Sequence, residues 1–354
     1  MLPPSSPRLD ALRQFAANAF AEPTLSIESA SVDASFRSYW RVTTGTGVTR
    51  IVMDAPPDKE DLAPWLDIGA RLRHAGLHAP EVFAVDRAQG FVLMEDLGAR
   101  TYLPALNDAT VDVLYGDALM ALTRMQRHVD ARELPAYDRA RLVAEMELMP
   151  EWFLKRHLGF TPGCEEWDVI EAALTRLVHA ALEQPRVFVH RDFHSRNLLI
   201  VDSDNAATIA SEFPSPGIID FQDGVLGPIT YDLVSLLRDC YIEWPPERVD
   251  GWIENAHRGL CDTNLIGPSV TVARFRRWFD LMGLQRHIKV LGIFCRLWYR
   301  DGKAQYLDDL PLVWHYVISV ARRYPEFADF VALLERAGGG RDITQPHDGE
   351  AISA

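Results

Sequence analysis

Lysine is scarce in this chain: Lys59, Lys155, Lys289 and Lys303 are the only four among 36 basic residues, the rest being arginine. Cysteine is as sparse, at Cys164, Cys240, Cys261 and Cys295, and no two form a C-x-x-C pair. That spacing excludes a zinc ribbon or a dithiol redox motif and leaves buried or free thiols in a reducing compartment. No apolar run reaches the roughly 18 residues of a membrane-spanning helix, and the start MLPPSSPRLDALRQF has neither the basic flank nor the apolar stretch of a secretory signal. A cytoplasmic protein without a membrane partner is expected. Positive charge is in deficit as well: a net charge of -14 repels a phosphate backbone, so nucleic acid is not the expected partner. Several nucleotide and hydrolase devices are missing too. There is no G-x-x-x-x-G-K-[ST], no complete dinucleotide fingerprint and no G-x-S-x-G elbow.

What is present is a chain of 354 residues, 48% hydrophobic, long enough for two lobes that share a cleft. A first helix is predicted from Leu9 to Phe20. SYWRVTT and RIVMDA flank the turn GTG as a hairpin, and Pro56 and Pro57 end its second strand. A helix follows from Glu60 to Ala75, then strands at EVFAVD and GFVLMED. From Asp112 the period becomes helical: Leu114, Ala118, Leu122, Met125 and Val129 form one stripe, and Trp167, Ile170, Leu174, Leu177 and Ala181 another. Both stripes read as core. Short apolar runs at RVFV, NLLIV and GIID read as strands, and further helices are expected around Val270 to Tyr299 and Leu310 to Glu335. The expected fold is α+β and bilobal. It has a small antiparallel N-terminal sheet with one main helix over residues 1–97, a larger helical lobe over 98–337, and a flexible tail over 338–354.

The stretch HRDFHSRNLLI contains His190, Asp192 and Asn197 as H-x-D-x4-N, and the next apolar run ends in Asp220 of GIIDFQD. Phosphoryl transfer from ATP needs few covalent actors. It needs a carboxylate at the acceptor hydroxyl and oxygen ligands that hold Mg²⁺ on the phosphates. Asp192 suits the first task, and Asn197 and Asp220 the second, one ligand neutral and the other charged. A lone H-x-D arises by chance, whereas the added Asn197 and Asp220 at these intervals make coincidence a poor account. His190 and His194 are four apart, but on a strand-to-loop turn without the H-E-x-x-H pattern of a zinc protease. His190 is read as a hydrogen-bond donor that positions the loop, and His194 as facing substrate or solvent.

At these residues the sequence resembles the aminoglycoside phosphotransferase and choline kinase superfamily, whose fold is related to that of the protein kinases. The likeness extends from about Val32 to Leu334 and is strongest at HRDFHSRNLLI and GIIDFQDGVLGPITYDLVSLLRDCYIEWP. It implies ATP as co-substrate, Asp192 as catalytic residue, Asn197 and Asp220 on Mg²⁺, and an adenine-binding hinge at Met94, Glu95 and Leu97. Asp232 then matches a position that braces the catalytic loop. DASFRSYWRV, IVMDAPP, HRDFHSRNLLI and IDFQDGVLGPITYDLVSLLRDCYI are similar to the cell-wall-recycling kinases that phosphorylate N-acetylmuramate and N-acetylglucosamine at the anomeric hydroxyl. The resemblance implies a sugar 1-phosphate product for a nucleotidyltransferase.

One departure touches the lysine deficit. Such kinases place a lysine or arginine on the third strand to hold the α and β phosphates, where IVMDAPP has Met53 and Asp54. Arg37 or Arg41 supplies that charge, or Mg²⁺ and backbone donors suffice. The glycine-free loop DASFRSYWR leaves Ser35 and Ser38 as phosphate donors, with a plain turn as the other reading. For the sugar, Gln222 and Asp223 follow the metal aspartate, and His194, Arg196 and Arg238 are further candidates. Arg191, Arg196, Arg238, Arg296 and Arg300 are all open for a muramate carboxylate. Trp298, Tyr299 and Tyr306 either stack on a sugar ring or pack. Two rivals stand: an aminoglycoside kinase, which the acidic composition allows, and an inert nucleotide-binding module, which the missing strand lysine allows.

Overall fold

The computed structural model describes residues 7–20, 26–32, 36–201 and 215–347. The chain divides into two compact units, residues 1–130 with 196–224 and residues 131–195 with 225–354. The division does not fall at residue 97: residues 98–130 and 196–224 group with the sheet.

The first unit opens with α1 (Pro7–Phe20) and the strands β1 (Ser26–Val32), β2 (Ser38–Thr43) and β3 (Thr49–Asp54). After α2 (Leu62–His74) come β4 (Val82–Asp86) and β5 (Phe91–Glu95), and the five strands form an antiparallel sheet in the order β1-β2-β3-β5-β4. The predicted hairpin is there, with Ser38 opposite Asp54 and Thr43 opposite Thr49. Strand period 2 puts Phe91 and Leu93 on one face, where they bury with Ile27, Val42 and Val52 against Leu12 and Ala16 of α1. Each such side chain contributes about 1.5–3 kcal/mol. Asp54 bonds Arg8 of α1, Arg8 Nε to Oδ1 at 2.9 Å, so the acidic residue near the expected lysine position ties α1 to the sheet. At the start of α2 the Asp61 carboxylate accepts the Ala63 amide at 2.9 Å, one of the donors a helix start leaves unpaired. Two more helices, α3 (Tyr102–Ala105) and α4 (Val111–His128), follow.

In the second unit α5 (Arg139–Met146) runs into a π-helical segment, Met149–His157, which the sequence did not announce. Next are α6 (Cys164–Leu182) and β6 (Arg186–Val189). Trp167, predicted in the core stripe of α6, is instead 42% exposed, because it lies in the first turn, where the stripe has not yet met a neighbour. The short strands β7 (Leu198–Leu199) and β8 (Gly217–Ile218) pair with each other in the first unit. The chain returns through β9 (Val225–Pro228), which pairs with β6, to α7 (Tyr231–Leu237), α8 (Pro246–Asp262) and α9 (Val272–Asp301).

Every residue of α9 from Trp278 to Gly292 is buried, as expected of a helix with neighbours all round. Gly292 permits the tightest of these approaches, since a Cβ there would run into the Leu148 backbone. The helix predicted over Leu310 to Glu335 is broken into α10 (Leu310–Ala321), a 3-10 turn Pro325–Phe327 and α11 (Ala328–Gly338). Pro325 explains the break, because a proline disfavours helical geometry in the residue before it. The expected flexible tail is packed as far as His347. The His157 ring bonds the Ile343 carbonyl at 2.7 Å, Arg341 Nη1 donates to Leu158 O at 3.0 Å, and the His347 amide donates to His157 O at 2.9 Å. Residues 348–354 lie outside the described residues.

Candidate active site

The H-x-D-x4-N stretch runs through both units, Asp192 in the second and Asn197 in the first. In the second unit β6 delivers His190, after which Arg191 adopts φ 80. A non-glycine residue in that left-handed region costs of order 1–3 kcal/mol unless its surroundings fix it. The fixing comes from Asp232 on α7, buried, whose Oδ2 and Oδ1 accept the amides of His190 at 2.7 Å and Arg191 at 2.9 Å. Burial pushes the Asp232 carboxyl up to about 7 against those two amides. A second buried acid, Asp239, accepts the Ser195 amide at 3.0 Å and the Ser195 hydroxyl. Between these two braces the Asp192 amide donates to His190 Nδ1 at 3.3 Å. In that bond the His190 ring accepts, where the sequence suggested a donor, and its proton belongs on Nε2.

Asp192 is enclosed by positive charge. Burial pushes its carboxyl up, but Lys289, His194, Arg286 and Arg191 together hold it below the ordinary carboxylate range. Lys289 of α9 donates to Tyr231 Oη at 3.2 Å and lies 3.1 Å from Glu145 Oε2. Glu145 also takes Arg191 and the Tyr137 hydroxyl. Burial raises the Glu145 carboxyl as well, and Lys289, Arg191 and the Tyr137 bond reverse that. Beside Asp192 runs a line of rings: His194 to Tyr241 at 5.5 Å, Tyr241 to Phe294 at 6.2 Å, and Phe294 to Tyr306 at 5.2 Å between centroids.

The first unit holds the other half of the motif. Asp220 sits at φ 64, 38% exposed at its side chain, and accepts Asn197 Nδ2 at 3.2 Å and Gln222 Nε2 at 2.9 Å. The Ile219 amide donates to Asn197 O at 3.2 Å, which locks the two segments in register. Phe221 tucks under α2, 5.3 Å from the Trp65 ring, with Gly69 leaving room for it. Arg37 Nη2 is 4.0 Å from Asp220 Oδ1. Arg41, its competitor for the phosphate role, is held by Asp96 at 2.6 and 3.0 Å. Burial raises the Asp96 carboxyl, and the Arg41 bond and charge, with the Gly98 amide and Thr49, together bring it below the ordinary range.

The remaining predicted residues fall as follows. Ser35 lies outside the described residues, and the Ser38 hydroxyl accepts Trp40 Nε1 at 3.1 Å. Met94 and Leu97 are buried, and Leu97 is one of the two side chains that a Cβ on Gly217 would strike. The Glu95 carboxylate is engaged with His78 at 3.1 Å and the Glu81 amide at 3.1 Å, and its own amide donates to Glu81 O at 2.8 Å. Asp223 is exposed, Arg196 half-buried. Arg238, expected to face substrate, is instead buried and paired with Asp280 at 2.6 Å. Glu145, Asp239, Tyr241, Arg286 and Lys289 escaped the sequence reading. A usable signal existed only for the α9 pair, where Gln-Arg-His-Ile-Lys interrupts the apolar runs on either side, Leu281 to Leu284 and Val290 to Cys295.

The model of the phosphotransferase enzyme family matches residues 26–268. The chain belongs to this family and is an ATP-dependent kinase within it. It is similar to the N-acetylmuramate/N-acetylglucosamine kinase of Pseudomonas putida, 40% identical over 327 residues, 92% of this chain and 93% of the relative. The kinase of the same name from Neisseria meningitidis serogroup B is 37% identical over 338 residues, 94% and 96% of the two chains. Among solved structures, choline kinase from Cryptosporidium parvum superposes with TM-score 0.59 at 11% identity, covering 92% of this chain and 98% of the other. The ADP-bound aminoglycoside phosphotransferase APH(2'')-Ib gives TM-score 0.56 at 14% identity, covering 87% and 99%. At such identities the likeness is of fold, and it is the α+β, protein-kinase-like fold expected from the sequence.

Proposed function

We propose that the protein transfers the terminal phosphoryl group of ATP to the anomeric hydroxyl of N-acetylmuramate and N-acetylglucosamine, in the cytoplasm, as a step of cell-wall recycling. The observation that carries this reading is identity of about 40% to kinases of these sugars over nine-tenths of the chain. Asp192 orients the hydroxyl and accepts its proton as the new O–P bond forms, and the depressed carboxyl stays ionised for that task. Arg37, 4.0 Å from Asp220 while Arg41 is committed to Asp96, takes the place of the strand lysine at the phosphates.

The residues fit Mg²⁺. Asn197 and Asp220 are hydrogen-bonded oxygen ligands, and among the described residues no group of three His, Cys, Asp or Glu is placed to hold a metal. A shell completed by phosphate oxygens and water is what a small hard cation in a kinase requires. When bound, Mg²⁺ neutralises charge on the β and γ phosphates. The ring line from His194 to Tyr306 offers apolar faces to a pyranose, and the Tyr241 hydroxyl offers a polar partner. The product, a sugar 1-phosphate, suits a nucleotidyltransferase as the next catalyst.

The cations around Asp192 disfavour a polyammonium antibiotic at the same carboxylate. ADP release with ATP and Mg²⁺ tests this, using N-acetylmuramate, N-acetylglucosamine, kanamycin or no acceptor, with phosphorus NMR of the product. Sugar-dependent turnover to an anomeric phosphate is the expected result. Turnover of kanamycin alone would make the protein an antibiotic kinase, and ATP binding without any acceptor-dependent ADP would make it a binding module.

A further inference from the structure

Arg286, in the middle of α9, is the most poorly matched charge near Asp192. Its side chain is 4% exposed, and among the described residues no carboxylate pairs with it. The one hydrogen bond it donates goes from Nη1 to Cys240 Sγ at 3.1 Å, and its Nε is enclosed without an acceptor. Burial pushes the Cys240 thiol up to about 11, so at neutral pH that sulfur is a neutral, weak acceptor. Burial works against the Arg286 charge too, and of the groups that favour it Asp192 is the one ionised at neutral pH. A buried guanidinium normally has a carboxylate or several carbonyls on its five donors. Keeping Asp192 ionised does not account for it, since Lys289 and His194 each act on that carboxyl more strongly.

Three of the other arginines considered from sequence already have carboxylate partners. Arg191 pairs with Glu145, Arg238 with Asp280 and Arg300 with Asp301. Arg296 lies ten residues further along α9, about 15 Å at the helical rise, beside Arg300 and Asp301.

N-acetylmuramate is N-acetylglucosamine with a lactyl ether on O3, so one carboxylate separates the two acceptors. We propose that Arg286 receives this lactyl carboxylate and is the residue through which the protein favours the acidic sugar. The inference rests on the function proposed above. An ionised carboxylate supplies the acceptors that Arg286 lacks, within electrostatic reach of the residue that meets the anomeric hydroxyl.

The test compares kcat/KM for the two sugars in wild type and Arg286→Gln. The preference for N-acetylmuramate over N-acetylglucosamine should fall about 30-fold, equivalent to about 2 kcal/mol at 1.4 kcal/mol per tenfold. Any loss common to both sugars cancels in that ratio. An unchanged ratio overturns the proposal. The wild-type enzyme with the carboxamide of N-acetylmuramate gives a readout independent of the variant's folding: it should lose as much as the substitution, and an undiminished kcat/KM there also overturns it. Wild type that turns over neither sugar refutes the proposed function itself, a different outcome from a preference that ignores Arg286.

Discussion

Asp192 and Asp220 are both carboxylates of the same motif, held in opposite ways. Asp192 sits among Lys289, Arg286 and Arg191, on a loop whose amides are taken by two buried acids, Asp232 and Asp239. Asp220 is more than a third exposed, and its partners are the neutral amides of Asn197 and Gln222, with Arg37 at 4.0 Å. The contrast suits the work proposed for each. A group that accepts one proton gains from a fixed geometry and a fixed charge, because a small displacement costs rate steeply. A group that binds a hydrated cation with phosphates must keep coordination sites for ligands the protein does not supply.

The sharpest way to break that contrast is Asp192→Asn. It removes the proton acceptor while keeping shape, so kcat should fall by about 10²–10⁴, a barrier rise of about 3–5 kcal/mol, with the melting temperature nearly unchanged. Steady-state turnover beside a thermal melt checks this, and wild-type turnover in the variant would remove Asp192 from the chemistry.

Lys289→Met attacks the charge around Asp192 instead. It breaks a buried pair with Glu145, for which a loss of about 3 kcal/mol in denaturant unfolding is expected. It also has a pH signature. The Asp192 carboxyl is depressed in the folded protein, so the stabilisation from its cations is present above the ordinary carboxylate pKa of about 3.9 and is lost as pH falls through the lowered value. Without Lys289 the carboxyl rises, and the acid limb of kcat/KM should move to higher pH. An acid limb that stays in place would mean that Lys289 does not set the charge of Asp192.

On the Asp220 side the expected effects are smaller and fall on ligands. Arg37→Gln should raise KM for ATP about 30-fold, the worth of a charge-assisted bond to phosphate, whereas Arg41→Gln, which only frees Asp96, should change it by less than about threefold. Equal effects of the two would return the strand-lysine question to its starting point. Gln222→Leu removes one brace from Asp220 and should raise the Mg²⁺ concentration for half-maximal rate about tenfold, with kcat at saturating Mg²⁺ little altered. A Mg²⁺ titration decides it.

Much of this was legible in the chain because it is local. The GTG hairpin, the helix from Leu62 to His74 and the strand that ends in Asp220 all announce themselves through period and turn residues. The π-helical segment at Met149–His157 was not legible, since no local period or turn residue distinguishes it from an α-helix. Trp167 was misplaced because a helical stripe shows which residues share a face, not which turn of that face is covered. At the candidate site, Asp192, Asn197 and Asp220 stand out by spacing, while Lys289 and Glu145 do not, being 97 and 47 residues from Asp192 in a chain whose arginines look interchangeable.

The sequence by itself determined the chemical class: the order and spacing of Asp192, Asn197 and Asp220, the family they belong to, and the absence of a lysine where such enzymes keep one. The tertiary structure alone decided which charges do what. Packing assigned Arg41 to Asp96, Arg238 to Asp280, and Lys289 with Arg191 to Glu145, and it left Arg286 buried with a neutral thiol. The physical reason is that a motif is written along one stretch of chain. Whether an ion is paired depends on burial and on partners that the fold collects from many stretches at once.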